Sequence, residues 1–209
     1  MRDDCVIYDF ETLSQNPDDG VAVSLGALKY SESRFIDNPY GYLELIECAK
    51  YIKFDVAEQV RIFSRKISPD TLNWWKKQGT VAQQALAPSD KDVSIQFLPE
   101  FLKAVVEEQP FGDFNKIFTR GNTFDPMFLR SLLRHSDMED PFNWWALRDT
   151  RSFIDGLAYG EGISNKFIPE GLDKLFIDHD PRHDIAMDVM RMQMLVRAIS
   201  GVGANDIPF

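Results

Sequence analysis

The strongest constraint on the fold lies near the amino terminus, where an apolar run carries two carboxylates two residues apart. Residues 6–12 have the sequence Val-Ile-Tyr-Asp-Phe-Glu-Thr, a composition that favours a β-strand. Alternate side chains of a strand share a face, so Asp9 and Glu11 project side by side. Their charges repel each other unless a cation lies between them. The pair marks either an exposed strand end or part of a cation site, and the other acidic segments must decide between the two.

Length and composition favour one globular domain. The chain has 209 residues, of which 44% are hydrophobic, so it is long enough to bury a core. We expect a single domain over 1–209 with a short C-terminal tail from about residue 201. The segment Met1-Arg2-Asp3-Asp4 lacks a signal-peptide core, and no run reaches the roughly 20 apolar residues of a membrane span. Cys5 and Cys48 form no disulfide framework, so a cytoplasmic protein with no membrane partner is expected.

The charge excludes one class of nucleic-acid-binding protein. A net charge of −10 argues against a protein that coats nucleic acid by neutralising its phosphates. A cleft with local basic groups or bound cations can still hold a few nucleotides. Basic residues near predicted element ends are candidates for phosphate contacts, although a solvated surface charge is the favoured interpretation of each one taken alone; they are Arg120, Arg148, Arg151 and Arg182.

The amino-terminal half is predicted to begin with a hairpin. Residues 21–30 follow a turn-rich segment and are predicted to pair antiparallel with the first strand, and Gly26 within them indicates a bulge or a close backbone contact. A third strand is predicted within Gly41–Cys48. Ser68 and Pro69 open a short helix, whose two tryptophans are expected to pack rather than to stack on bases.

Asp125 lies at a predicted strand-to-helix junction. Residues 116–121 have a buried-strand pattern and are followed at once by a helix start, the place where α/β proteins commonly bind ligands. Asp125 is either a first-turn acid favoured by the helix dipole or a functional residue. A further strand is predicted at 143–147 and a helix from about Thr150 to Tyr159.

The last predicted helix carries a second acidic candidate. Its apolar positions recur with helical spacing and should dock on the sheet; they are Ile185, Val189, Met192, Val196 and Ile199. Asp188 borders this stripe and should lie at its buried edge. His183 would point about 140° away from Asp188 on a regular helix, so it is predicted at or before the helix start, on a loop over the site. The alternative is a histidine at the helix start with no function. Asp184 is interpreted as a first-turn partner of the helix dipole.

Together these residues form a plausible metal site. Four carboxylates, from Asp9, Glu11, Asp125 and Asp188, are the oxygen ligands that Mg²⁺ or Mn²⁺ prefers. Two such ions can activate a water and stabilise the leaving oxygen of a phosphodiester. A histidine such as His183 can take the proton from that water.

The ordered set resembles a known family. Asp9-x-Glu11, Asp125 at a helix start and His183-x-x-x-x-Asp188 resemble the DEDDh branch of the DnaQ-like 3′→5′ exonucleases. Further likeness to the DexA-type phage exonucleases and the related short bacterial 3′→5′ exoribonuclease domain is carried by Trp74-Trp75-Lys76-Lys77-Gln78, Arg120-Gly121-Asn122-Thr123-Phe124-Asp125 and His183-Asp184-Ile185-Ala186-Met187-Asp188. The resemblance implies an α/β, ribonuclease H-like mixed sheet flanked by helices, in a bacterial or phage-encoded protein.

The same resemblance implies a role for each site residue. Asp9 would bridge two Mg²⁺ or Mn²⁺ ions, Glu11 and Asp188 would hold one of them, Asp125 would support the other, and His183 would be the general base. The backbone around Thr12 would receive the terminal nucleotide, with Leu13 as an apolar wedge against its base. Asn122 and Phe124 would neighbour the scissile end. The implied partner is the 3′ end of a single-stranded nucleic acid.

Three functions remain open at this level. The first is a 3′→5′ exonuclease that releases nucleoside 5′-monophosphates from single-stranded DNA or short ends. The second is an exoribonuclease or oligoribonuclease with the same site, since nothing identifies a reader of the 2′-OH. The third is a non-catalytic nucleic-acid-binding or assembly subunit, against which the complete acidic set argues.

The carboxyl terminus carries a separate motif. The chain ends Asp206-Ile207-Pro208-Phe209, which resembles the acidic Pro-Phe tip through which bacterial single-stranded-DNA-binding proteins recruit repair enzymes. A terminal Phe with a free carboxylate suits an apolar pocket rimmed by basic residues. The alternatives are a partner that accepts this tip, a contact of the tip with this protein itself, and a terminus with no partner; the oligomeric state is not predicted.

Overall fold

A five-stranded mixed sheet forms the centre of the fold. The computed structural model describes residues 4–107, 114 and 116–202. The strands are β1 (Asp4–Thr12), β2 (Ala22–Ser31), β3 (Lys50–Lys53), β4 (Lys116–Thr119) and β5 (Leu147–Asp149). Their order in the sheet is β3-β2-β1-β4-β5. The first three strands are antiparallel neighbours, whereas β4 and β5 run parallel to β1. The α/β, ribonuclease H-like mixed sheet is therefore confirmed.

Helices cover both faces of the sheet. They are α1 (Arg34–Asp37), α2 (Tyr42–Cys48), α3 (Val56–Arg61), α4 (Pro69–Trp75), α5 (Thr80–Ala85), α6 (Leu98–Val106), α7 (Asp125–Leu133), α8 (Thr150–Leu157) and α9 (Pro181–Ile199). Among the described residues, no helix combines the length and the apolarity that a membrane-spanning segment requires. The terminal tip at Asp206–Phe209 lies outside the described residues.

The alternation of side chains along β1 separates two hydrophobic cores. Cys5 and Ile7 pack in a cluster with residues of α2, α8 and α9, whereas Val6, Tyr8 and Phe10 pack in a second cluster with residues of α6 and α7. Odd-numbered residues of β1 thus face α9. Asp9 and Glu11 belong to this odd-numbered series, so the fold directs both carboxylates toward the face that α9 covers.

Helix α9 lies close to the sheet because Gly26 has no side chain. Gly26 pairs with Asp9 across the β1–β2 hairpin, and a Cβ at Gly26 would lie 2.7 Å from the Pro181 carbonyl carbon. The close backbone contact predicted at Gly26 is confirmed. It holds the first turn of α9 beside Asp9.

The apolar stripe of α9 is buried as far as Met192, the twelfth of the 19 residues of the helix. Ile185, Val189 and Met192 are buried, whereas Ile199 is exposed. The helix therefore leaves the sheet at its carboxyl end, and its first turns are the part that packs against β1 and β2.

Two predicted strands are wrong. Residues predicted as a strand within Gly41–Cys48 form α2, where the Glu44 carboxylate accepts a hydrogen bond from the Gly41 N–H at 3.2 Å and so caps the helix. The strand of this region is β3, which follows the helix. At 143–147, Trp144–Ala146 form a 3₁₀ turn and the strand begins only at Leu147. In both places a local capping or turn hydrogen bond overrode the apolar pattern.

Candidate active site

The Asp125 carboxylate contacts the backbone at the end of β1. The Asp125 Oδ1 accepts a hydrogen bond from the Phe10 N–H at 3.1 Å, and Asp125 is the first residue of α7. The N–H of the residue between Asp9 and Glu11 therefore fixes the third carboxylate. Asp125 is buried, so its position is not that of an ordinary solvent-exposed first-turn acid.

Asp184, in the first turn of α9, supplies a fourth carboxylate beside those of Asp9, Glu11 and Asp125. Ligand atoms of Glu11, His179 and Asp184 all lie within 4.8 Å of one another. The His179 N–H donates to Asp184 Oδ2 at 3.1 Å, and His179 Nδ1 lies 3.8 Å from Glu11 Oε1. The structure thus adds two residues that the sequence interpretation did not place in the site.

His183 lies elsewhere. It was predicted at or before the helix start on a loop over the site, but it is the third residue of α9 and is buried. Its Nδ1 lies 2.9 Å from the Tyr42 hydroxyl oxygen. The predicted loop position is wrong because Asp180 caps the helix and Pro181 begins it, two residues before His183.

Asp188 is buried one helical turn beyond Asp184 and is held by cations. Its Oδ1 accepts hydrogen bonds from Arg120 Nη1 at 2.5 Å and from Arg191 Nη1 at 2.7 Å, and its Oδ2 accepts one from the Thr150 hydroxyl at 2.6 Å. The expected burial of Asp188 at the edge of the stripe is confirmed. Its oxygens are already satisfied by protein donors, unlike those of a carboxylate that waits for a metal.

Two pairs of histidine and aspartate fit the same motif in this part of the chain. His179-x-x-x-x-Asp184 and His183-x-x-x-x-Asp188 have the same spacing and are offset by four residues, which is about one turn of helix. Spacing cannot choose between them. A signal was nevertheless present, because Asp180-Pro181 is a cap followed by Pro at the first helical position, and it puts His179 rather than His183 on the preceding loop.

Two tryptophans hold the His179 ring. The centroid of the His179 ring lies 4.8 Å from that of Trp74 and 5.4 Å from that of Trp75, both edge to face. Trp75 is buried and its Nε1 donates to the Thr12 carbonyl at 2.9 Å. The packing role predicted for the tryptophans is thus confirmed for Trp75. Trp74 is 44% exposed and faces the cavity described next.

One cavity joins these residues. It has a volume of about 940 Å³ and an acidic side with a basic side beside it. The acidic side is lined by Asp9, Glu11, Asp125, Asp178 and Asp184, and the basic side by Arg120, Arg151, Lys166 and Arg191. Neither His183 nor Asp188 is among the lining residues.

The predicted substrate contacts divide between the cavity and the core. Thr12 and Phe124 line the cavity. Leu13, predicted as a wedge, is buried with Trp75, Val21 and Val23, and Asn122 is exposed at the end of β4, where its Oδ1 accepts a hydrogen bond from the Thr119 hydroxyl. Leu13 does not line the cavity, whereas the apolar side chains of Trp74 and Phe124 do.

Comparison with known proteins identifies the family. Residues 4–174 match the model of the 3′-5′ exoribonuclease Rv2179c-like domain. The chain belongs to this family. The matched segment ends before α9, so it includes Asp9, Glu11 and Asp125 but not His179 or Asp184.

Known relatives of this Rv2179c-like domain are nucleases. An exodeoxyribonuclease of Enterobacteria phage T4 is 28% identical over 218 residues, covering 97% of this chain and 92% of the phage protein. E. coli exonuclease I in complex with a dA16 oligonucleotide superposes with a TM-score of 0.59 at 15% identity, over 93% of this chain. The zinc-bound complex of E. coli exonuclease I with single-stranded DNA gives 0.57 at 17% identity, over 96%. This chain spans 41% and 42% of those two structures.

The electrostatics of this Rv2179c-like site favour a cation. Burial, followed by repulsion from neighbouring carboxylates, raises the pKa values of Asp9, Glu11 and Asp184 well above their ordinary range. Burial raises the pKa of Asp125 to about 7, although the Phe10 N–H and Arg151 oppose the shift. A bound divalent cation would offset this repulsion, and the donor set of carboxylate oxygens fits Mg²⁺ or Mn²⁺.

We expect Asp125→Asn to stabilise the metal-free protein increasingly as pH rises. The pKa of Asp125 is 3.8 ordinarily and about 7 in the fold, so the folded state binds more protons than the unfolded state between these values. Its carboxylate therefore costs stability that is absent below about pH 4 and complete above about pH 7. Asparagine removes this cost and keeps the oxygen that the Phe10 N–H needs.

Urea unfolding in EDTA, across the range from about pH 5 to about pH 7, checks this expectation. The difference in unfolding free energy between variant and wild type should grow with pH, and the contributions of titrating groups that Asp125 does not influence cancel in it. Loss of the Asp125 charge also relieves the repulsion at Asp9 and Glu11, which adds to the difference in the same direction. With Mg²⁺ or Mn²⁺ added, the advantage should shrink or reverse because the variant has lost a carboxylate ligand. A difference that is flat or falls with pH would contradict the expectation.

Proposed function

We propose that this chain removes nucleoside 5′-monophosphates from the 3′ end of single-stranded DNA, at a site formed by Asp9, Glu11, Asp125, Asp184 and His179. The observation that carries the proposal is the convergence of these side chains from β1, α7 and the start of α9 on one cavity. As a member of a 3′-5′ exonuclease family, the protein is a hydrolase of phosphodiester bonds. The complete acidic set argues against a non-catalytic binding subunit.

The carboxylates hold the cations in this proposal. Asp9, Glu11 and Asp184 are the principal ligands, and Asp125 supports a second ion. When bound, two divalent ions lower the pKa of a water and stabilise the charge on the leaving oxygen. Asp188 is excluded from the ligand set because Arg120, Arg191 and Thr150 already occupy its oxygens.

His179 is the proposed general base. Imidazole exchanges protons readily at neutral pH, and this ring lies at the mouth of the acidic side, with Nδ1 3.8 Å from Glu11 Oε1 and Nε2 3.3 Å from Asp178 Oδ2. Edge-to-face contacts with Trp74 and Trp75 restrict the ring, next to the Glu11 and Asp184 carboxylates. His183 has no such position.

DNA is the preferred substrate in this proposal because of the phage exodeoxyribonuclease, which matches along nearly the whole chain. The alternative is RNA or short oligoribonucleotides, and the description of the family as an exoribonuclease domain favours it. Both substrates would use the same carboxylates and the same histidine.

Incubation with labelled oligonucleotides tests the proposal. DNA and RNA strands of equal sequence, labelled at the 5′ or the 3′ end, are treated with Mg²⁺, Mn²⁺ or EDTA. We expect a ladder that shortens from the 3′ end, requires metal and is faster with DNA. Faster shortening of RNA would transfer the assignment to the alternative substrate. If wild type and Asp9→Asn are equally inert on both substrates with both metals, the proposed activity is wrong.

A further inference from the structure

Two of the basic residues that line the cavity, Arg120 and Arg191, are paired within the protein. Arg120 and Arg191 both donate to the same Asp188 oxygen, and both also donate to backbone carbonyls of the loop at 165–167, those of Asn165 and Phe167. Most of their positive charge is therefore neutralised by contacts inside the protein. They therefore build the basic side of the cavity and leave little free charge for a ligand.

Arg151 is different. Its side chain is exposed and lines the cavity. The backbone N–H donates to Asp149 Oδ1 at 3.0 Å, but the guanidinium makes no hydrogen bond or ion pair with any residue that the structure describes. It is the second residue of α8, where a cation is disfavoured by the helix dipole. Neither an internal partner nor helix stability therefore explains an arginine at this position.

The Arg151 guanidinium lies beside Gly121. Nη1 lies 3.6 Å from where a Cβ of Gly121 would stand, and Gly121 has a φ of +140°. The side chain thus lies over the turn at the end of β4, next to the segment that leads to Asp125. Its charge lowers the pKa of Asp125, in agreement with this proximity. A free guanidinium beside the acidic site is placed to meet a neighbouring phosphate of the strand whose scissile phosphate the acidic side binds through cations.

We propose that Arg151 binds a substrate phosphate, namely the phosphodiester adjoining the scissile one on its 5′ side. The assignment rests on the proposed function, which puts the scissile phosphate against the carboxylates. Guanidinium presents paired N–H donors that match phosphate oxygens. Arg151 is then a specificity residue that favours a strand of at least two phosphates over a dinucleotide with one.

Binding of a 5′-fluorescein-labelled oligothymidylate, measured by anisotropy, tests this assignment. Ca²⁺ replaces Mg²⁺, and gel analysis confirms that the strand stays intact. We expect Arg151→Gln to weaken binding about tenfold, as for loss of a charged hydrogen bond. The slope of log affinity against log salt concentration should fall by about 0.7, the value for one phosphate contact on a single strand. Arg151→Lys should restore part of the affinity because the charge remains.

A methylphosphonate probe locates the phosphate. This group removes the charge of one linkage, so at the adjoining linkage it should weaken binding to wild type and have little further effect on Arg151→Gln. Arg148→Gln is the matched control, since Arg148 lies three residues earlier and donates to the Trp145 and Leu147 carbonyls; its affinity should equal that of wild type.

The outcomes separate this assignment from the proposed function. Wild type that cleaves and binds, together with an Arg151→Gln variant that binds equally well, would overturn the assignment alone. An equal methylphosphonate penalty in both proteins, or a penalty only at the scissile linkage, would do the same. A wild type that neither binds nor cleaves any strand would overturn the proposed function and this assignment with it.

Discussion

Replacing His179 by alanine is expected to lower kcat near neutral pH by roughly 10² to 10⁴, the usual contribution of a general base. His183→Ala should keep kcat close to that of wild type and cost stability instead, because it removes the buried contact with the Tyr42 hydroxyl. The reason is positional. His179 lies beside Glu11 and Asp184, whereas His183 contacts Tyr42 of α2.

Single-turnover rates across the neutral pH range, paired with urea unfolding, separate the two histidines. The His179 variant should lose the rate while retaining the wild-type unfolding midpoint, and the His183 variant should show the opposite. A His183→Ala variant that is folded and inactive, beside an active His179→Ala, would return the role of the base to His183.

The second large effect concerns the two aspartates of α9. Asp184→Asn should lower kcat by about 10³-fold, corresponding to about 4 kcal/mol of lost transition-state stabilisation. Without metal it should raise stability, since it removes one of several repelling buried carboxylates. Asp188→Asn should instead destabilise the fold by about 3 kcal/mol, because it leaves Arg120 and Arg191 without their shared carboxylate.

Measurement of kcat with Mg²⁺ and of unfolding midpoints in EDTA distinguishes these variants. At a temperature where both are folded, Asp188→Asn should retain far more activity than Asp184→Asn. If Asp188→Asn is instead inactive with an unchanged midpoint, Asp188 is a metal ligand and the assignment made here to Asp184 is wrong.

Much of the fold follows from local pattern. The hairpin of β1 and β2, the strand β4 followed by α7, and the docking face of α9 all combine a clear period with a clear turn or cap signal. The helix α2 could not be predicted because its apolar residues suit either a helix or a strand, and the capping hydrogen bond from the Gly41 N–H to the Glu44 carboxylate decided for a helix. The 3₁₀ turn at Trp144–Ala146 displaced the start of β5 in the same way.

The sequence by itself determined that Asp9 and Glu11 share one face of a strand, since the two-residue period of β structure requires it, and that Asp125 begins a helix. It could not determine which histidine and which aspartate, at or before the start of α9, join them. Two pairs of identical spacing lie one turn apart, and the choice depends on where the helix starts and how closely it approaches β2 at Gly26. That approach brings Asp184 to the carboxylates and buries Asp188 among arginines, because packing between distant segments, rather than spacing, decides which side chains meet.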